Sequence, residues 1–193
     1  MPSRMFNACL LAICFSSASI AVPAQEVVHA LSGTISAVNP ADKTITVTTD
    51  DGSDGTFKDM TDTKTRLEFD KGLRAGSTPA AAFKDTQGRV VIFYFGEGEI
   101  RTAVALRDLG PGPFNVATGS IVSFDKRVHS FSIKDTDGTT QSFKIAPSSI
   151  ADVGSGATEG LKFEAAKGVQ VRVVSSSVNG TPTAMFVVVL AGQ

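Results

Sequence analysis

The chain has 193 residues, with 18 Lys and Arg against 19 Asp and Glu, no Trp and a single Tyr. That near-neutral balance supplies neither the basic stripe nor the stacking aromatics of a nucleic-acid surface. The length suits one domain or two small ones.

Residues 1–24 read as a cleaved export signal. Arg4 is the only charge, an apolar stretch from Ala8 to Phe15 follows, and Val22-Pro23-Ala24 offers the small residues that signal peptidase accepts. The stretch is too short to span a bilayer, and Ile13 before Cys14 does not fit a lipoprotein signal. Cys9 and Cys14 both fall inside this segment. The remainder therefore has no thiol for a disulfide or a thiolate metal site, and burial alone must hold it together. A periplasmic or secreted protein is expected, with no integral membrane segment after cleavage; the longest later apolar run, Met185 to Ala191, suits a strand.

A first module is expected over 27–108. Gly33 to Val38 and Lys43 to Thr48 alternate apolar and polar residues with period two, as half-buried strands do. Asp51-Gly52 supplies turn chemistry, and a third strand carries Phe57. Ser77-Thr78-Pro79 has capping and first-turn residues ahead of a helical turn at Ala80 to Phe83. Strands follow at Arg89–Phe95 and Thr102–Leu106. Gly110-Pro111-Gly112-Pro113 marks a short, stiff linker over 109–116, and a second module is expected over 117–191.

The second module reads as a degenerate copy of the first. Residues 33–58 align without a gap to 119–144, a constant offset of 86. Gly33, Ile35, Asp51, Gly52, Phe57 and Lys58 meet identical residues, while Val38/Phe124, Ile45/Phe131 and Val47/Ile133 keep the chemical type. Further on, Phe83 and Gly88 meet Phe163 and Gly168, and Thr102-Ala103 meets Thr183-Ala184; the helical turn is matched to the stretch around Ser148 to Val153. So long a period is not that of a solenoid, whose units run about 20–50 residues. Three meander strands, a loop or short helix and two more strands give the order of a small five-stranded barrel. The expected fold is all-β, two tandem five-stranded OB-like barrels, with a sandwich or open sheet as the alternative.

The elements Gly33-Thr34-Ile35, Asp51-Gly52, Phe57 and Gly88, and again Gly119-Ser120-Ile121, Asp137-Gly138, Phe143 and Gly168-Val169-Gln170-Val171, give a recurring pattern. It is similar to that of an exported bacterial family known as domain of unknown function 5666. The resemblance implies an OB-like fold and an envelope location, and no reaction.

Two strands are apolar on both faces. Val91, Phe93 and Phe95 are assigned to the core side of the fourth strand, leaving Val90, Ile92 and Tyr94 opposite; in the last strand Phe186, Val188 and Leu190 oppose Met185, Val187 and Val189. Antiparallel strands of this kind are covered on both sides. Val90, Ile92, Tyr94, Phe186, Val188 and Leu190 are therefore the expected interface, either between modules or with a ligand.

Catalytic chemistry is sparse. Only His29 and His129 are available as imidazoles, and neither G-x-S-x-G nor H-E-x-x-H occurs. Asp50, Asp51 and Asp54 in Asp50-Asp51-Gly52-Ser53-Asp54-Gly55 suggest weak calcium binding, yet counting from Asp50 puts Thr61 where an EF-hand needs a bidentate carboxylate. Met60 and Met185 are not equivalent between copies, so a copper set is absent. Glu97 and Glu99 sit at a Gly-rich tip and read as solvated turn charges. The reading is a non-enzymatic envelope binding or adaptor protein for a protein, glycan or small molecule, without a cofactor. A calcium- or other divalent-metal-binding protein is the alternative.

Overall fold

The computed structural model describes residues 25–61, 64–84, 88–178 and 180–190. The expected export signal, with Cys9 and Cys14, lies outside the described residues. Ten strands form two closed rings. The first ring contains β1 (His29–Asn39), β2 (Thr44–Thr49), β3 (Asp54–Asp59), β4 (Arg89–Phe95) and β5 (Ile100–Asp108). The second contains β6 (Phe114–Asp125), β7 (Ser130–Lys134), β8 (Thr140–Asp152), β9 (Gln170–Val178) and β10 (Thr181–Val189).

Around the first ring the order is β3-β2-β1-β4-β5, and β5 returns to pair in parallel with β3 from Thr56/Ile100 to Asp59/Ala103. The second repeats this as β8-β7-β6-β9-β10, closed by the parallel pairs Lys144/Thr183 and Ile145/Ala184. Closure leaves each ring without a free edge. These are two small OB-like barrels in tandem, as the strand order in the sequence leads one to expect.

Equivalent positions have equivalent surroundings down to their irregularities. Ser36 is bulged out between the β1–β2 pairs of Ile35 and Ala37, and Val122, 86 residues on, is bulged out of the β6–β7 ladder. Val104 is skipped in the β4–β5 register as Met185 is in β9–β10. Lys43 and His129 both take a left-handed backbone, with φ of 54° and 48°. Each then accepts at its carbonyl the bond that starts the next rung, from Asp59 N–H at 2.8 Å and Ile145 N–H at 2.7 Å. Inside, Ile35, Ile45, Val47, Phe57, Val90, Ile92, Ala103 and Leu106 fill barrel 1. Ile121, Phe131, Ile133, Phe143, Val171, Val173, Ala184 and Val187 fill barrel 2, position for position.

The structure corrects four expectations. The fourth strand is out of phase with the sequence alignment by one residue. Gly88 O accepts from Ile35 N–H, whereas Val169 O accepts from Ile121 N–H, so Gly88 is equivalent to Val169 and not to Gly168. A one-residue slip reverses the face of every side chain in a strand. Hence Val90 and Ile92 point into barrel 1, and Val91 and Phe93 point out. Second, the helical turn Ala80–Ala82 has its counterpart in Gly160–Lys162; Ser148 to Val153 instead prolongs β8 as far as Asp152. Third, the second barrel starts at Phe114, inside the expected linker, with β6 already paired to β9 from Phe114/Ser176. Fourth, the excursion between β3 and β4 contains an α-helix, α1 (Lys71–Ala75), capped by Asp70, whose side chain accepts from the N–H groups of Gly72 and Leu73.

Gly33 and Gly119 are required by close strand approach. A Cβ on either would lie 2.4 Å from the carbonyl oxygen of Thr48 or Lys134, in backbone that cannot swing aside. Gly33→Ala and Gly119→Ala are each expected to lower stability by about 1–3 kcal/mol. The two effects should be of similar size, read as shifts of the urea unfolding midpoint.

Candidate functional site

Three places collect the side chains from which function can be argued. The first is the contact between the barrels. Val91 and Phe93 of β4, Ala105 of β5 and Phe69 and Leu73 of the α1 excursion form one buried cluster with Ile150, Val174 and Phe186 of barrel 2. Val188 packs against this cluster, and Leu190 lines the groove beside it. Of the six residues expected at an interface, Phe186 and Val188 thus lie between the barrels. Val90 and Ile92 lie inside barrel 1 for the phase reason given above. Tyr94 packs against the barrel 1 core, its ring 5.3 Å from that of Phe57, and the Arg101 guanidinium stacks over both rings at 4.6 and 4.5 Å. Burial pushes the Tyr94 hydroxyl above its ordinary value.

Polar bonds fasten the same contact. Asp152, at the end of β8, is 4 % exposed. Its carboxylate accepts from Ala30 N–H at 2.6 Å and Gly154 N–H at 2.9 Å, and lies 3.3 Å from Nδ1 of His29. Ala157 N–H donates to Val28 O at 2.7 Å, and Lys162 pairs with Asp70 at 2.6 Å. His29 and Asp152 together resemble a base and its orienting acid, but both Asp152 oxygens are already used in holding backbone, and among the described residues no nucleophilic side chain is bonded to His29.

The second place is the Asp-rich hairpin between β2 and β3. Its three carboxylates go to separate sets of partners. Asp50 forms a largely buried pair with Arg89 and accepts from the Ser32 hydroxyl. Asp51 accepts from the hydroxyls of Ser53 and Thr49, both at 2.6 Å, which holds its carboxyl well below the usual range. Asp54 accepts from Thr48 Oγ1 at 2.7 Å. Among the described residues no group of three or more His, Cys, Asp or Glu is arranged to hold a metal ion.

The third place is the mouth of barrel 1 beside its 3-10 turn. A pocket of about 500 Å³ opens there between Val38, Ile45, Met60, Ala80 and Phe83, with Lys43, Asp59 and Lys84 around it. Volume and lining suit a small-molecule site, an apolar cavity with a few convergent polar groups. The corresponding positions in barrel 2 explain why the space exists. Phe124 and Phe131 stand where barrel 1 has Val38 and Ile45, and both rings pack edge-on against Phe163 at 5.8 and 5.7 Å. Ile145 stands in place of Asp59. Barrel 2 therefore fills with its own rings the volume that barrel 1 leaves open.

Burial pushes the Asp59 carboxyl upward, and the nearby Lys43 ammonium only partly offsets this. A carboxylate desolvated at the edge of an apolar cavity is the kind of perturbed group found at ligand sites. Sequence reasoning missed this pocket although its signal was present: the pairs Val38/Phe124 and Ile45/Phe131 keep hydrophobic type while losing ring volume. It also missed Asp152, which has no counterpart in the first copy's alignment.

No family model matches the chain, and no curated protein matches it.

Asp152→Ala is expected to destabilise the protein by about 1–3 kcal/mol by leaving the buried Ala30 N–H unpaired, and to raise the rate of cross-barrel amide exchange at Ala30. Asp59 gives a pH signature. Its carboxyl binds a proton more tightly folded than unfolded, so the charged form weakens the fold at neutral pH and the penalty vanishes below the ordinary carboxylate range. Asp59→Asn should therefore raise the thermal midpoint at pH 7 and leave it unchanged near pH 3.

Proposed function

We propose that this protein is an exported, non-enzymatic binding protein in which barrel 1 is the receptor for a small ligand and barrel 2 its closed support. The observation that carries the reading is the contrast between the two mouths. Two barrels agree at eight core positions and differ where Phe124 and Phe131 are replaced by Val38 and Ile45. An unfilled apolar volume forfeits packing energy, and a bound ligand restores it. The near-identity of bulges, turns and core supports descent of the two barrels from one copied segment, after which one copy kept its plug. The resemblance to the exported family named above belongs to the same reading, as does a periplasmic or secreted location. A non-catalytic role is supported by the histidines: His29 is tied to the inter-barrel contact and His129 sits at an exposed turn.

The test is a plugged variant, Val38→Phe with Ile45→Phe, which copies the barrel 2 interior. Purified wild-type and plugged proteins are screened by thermal shift against a chemically mixed panel of small amphiphiles. Wild type is expected to gain several degrees with at least one class while the plugged protein gains nothing. Equal shifts for both proteins across the whole panel would rule out the barrel 1 mouth as the receptor.

A further inference from the structure

Barrel 2 also shows what sits across the rim of a filled mouth. Lys126, on the turn after β6, reaches over to Glu164 beyond the 3-10 turn, with Nζ and Oε1 2.5 Å apart. The two positions are Pro40 and Lys84 in barrel 1. The clasp is lost there, for proline brings no charge and the acid has become a base. Lys84 is exposed and forms no salt bridge among the described residues. Lys43 stands on the same rim. Among the described residues that line the pocket the charged side chains are Lys43, Lys84 and Asp59.

From the missing rings and the missing acid together we infer that barrel 1 binds an amphipathic anion, a molecule with an apolar, ring-sized body and a single carboxylate. The body takes the volume that Phe124 and Phe131 occupy in barrel 2, against Val38, Ile45 and Phe83. The carboxylate supplies the acid that Glu164 provides there and pairs with Lys84, with Lys43 within the same rim. Asp59 opposes a dianion by like-charge repulsion and is itself desolvated, which limits the head to one negative charge. A cationic head would face two ammonium groups and is disfavoured on the same ground. The inference rests on the receptor reading above and adds the ligand's chemistry to it.

The probes are 4-phenylbutanoate, its neutral amide and 4-phenylbutan-1-amine, which share one apolar body and differ in charge. Each is titrated calorimetrically into wild-type protein, Lys84→Glu and the plugged variant at low ionic strength. The carboxylate is expected to bind wild type about threefold to tenfold more tightly than the amine, the scale of partly exposed ion pairs. Lys84→Glu, a change at an exposed position that leaves the interior intact, should erase or reverse that preference, and the plugged variant should bind none of the three. An amine that binds as tightly as the carboxylate overturns the inference, as does a preference unchanged by Lys84→Glu. If all three probes bind equally and the plugged variant abolishes binding, the anion is wrong and the receptor stands. If none binds wild type at millimolar concentration, the phenyl-sized anion is wrong, and the wider panel decides the receptor separately.

Discussion

The parallel pairing of third and fifth strands governs this molecule. Once β5 has returned to β3, and β10 to β8, the ring is closed and the parity of every strand is set. A closed ring of five strands has room inside for roughly one layer of side chains. Apolar residues on the other parity must find cover outside. In β4 that outward set is Val91 and Phe93, and in β10 and β9 it is Phe186 and Val174, so the barrels cover one another. Docking of the two units is in this sense a consequence of closure, and each barrel's folding is completed by its neighbour.

The buried acids follow the same logic. Asp152 and Asp50 are removed from solvent where strand ends meet, and each is satisfied by groups that closure leaves at hand. For Asp152 these are the N–H groups of Ala30 and Gly154, and for Asp50 the Arg89 guanidinium and Ser32 hydroxyl. A buried carboxylate is tolerated only when paired or hydrogen-bonded. Its partners here are structural, which is why an Asp-rich hairpin that resembles a cation loop in one dimension distributes its oxygens among hydroxyls and two arginines in three.

Most of the fold was legible because its determinants are local. Period-two alternation, Asp-Gly turns and the offset of 86 place β1 to β3 and β6 to β8, and the structure keeps that offset even in the bulges at Ser36 and Val122. The β4 phase was not legible. Its strand, Val90-Val91-Ile92-Phe93-Tyr94, is apolar throughout, so alternation gives no parity, and a glycine match between Gly88 and Gly168 fixed it one residue out. The hydrogen bond of Ile35 to Gly88 O, a long-range contact, is what sets the true phase. Helix α1 and the 3-10 turn of barrel 2 were hidden for a related reason. Lys71–Ala75 is a single turn held by the Asp70 cap and by Leu73 packed across the barrel contact, and so short a helix carries little periodicity of its own. The pocket was visible as a difference in side-chain size, and alignment by hydrophobic class conceals size.

That difference has an energetic meaning. A core with Val and Ile where its counterpart has phenyl rings forgoes both transfer and packing energy unless the space is refilled, and barrel 2 has the rings. The α1 excursion adds Phe69 and Leu73 to the cluster that both barrels share, and the strand residues Glu26–Val27 pair with Leu67–Glu68 beside it. The extra structure lies on the side of barrel 1 that meets barrel 2, and the pocket lies at the mouth lined by the β1–β2 turn and the 3-10 turn. Stability is thus gathered at one end of the module while the other is left incomplete. On the receptor proposal made above, the two poles divide the work: a rigid base where the barrels meet, and a mouth whose packing a ligand would finish.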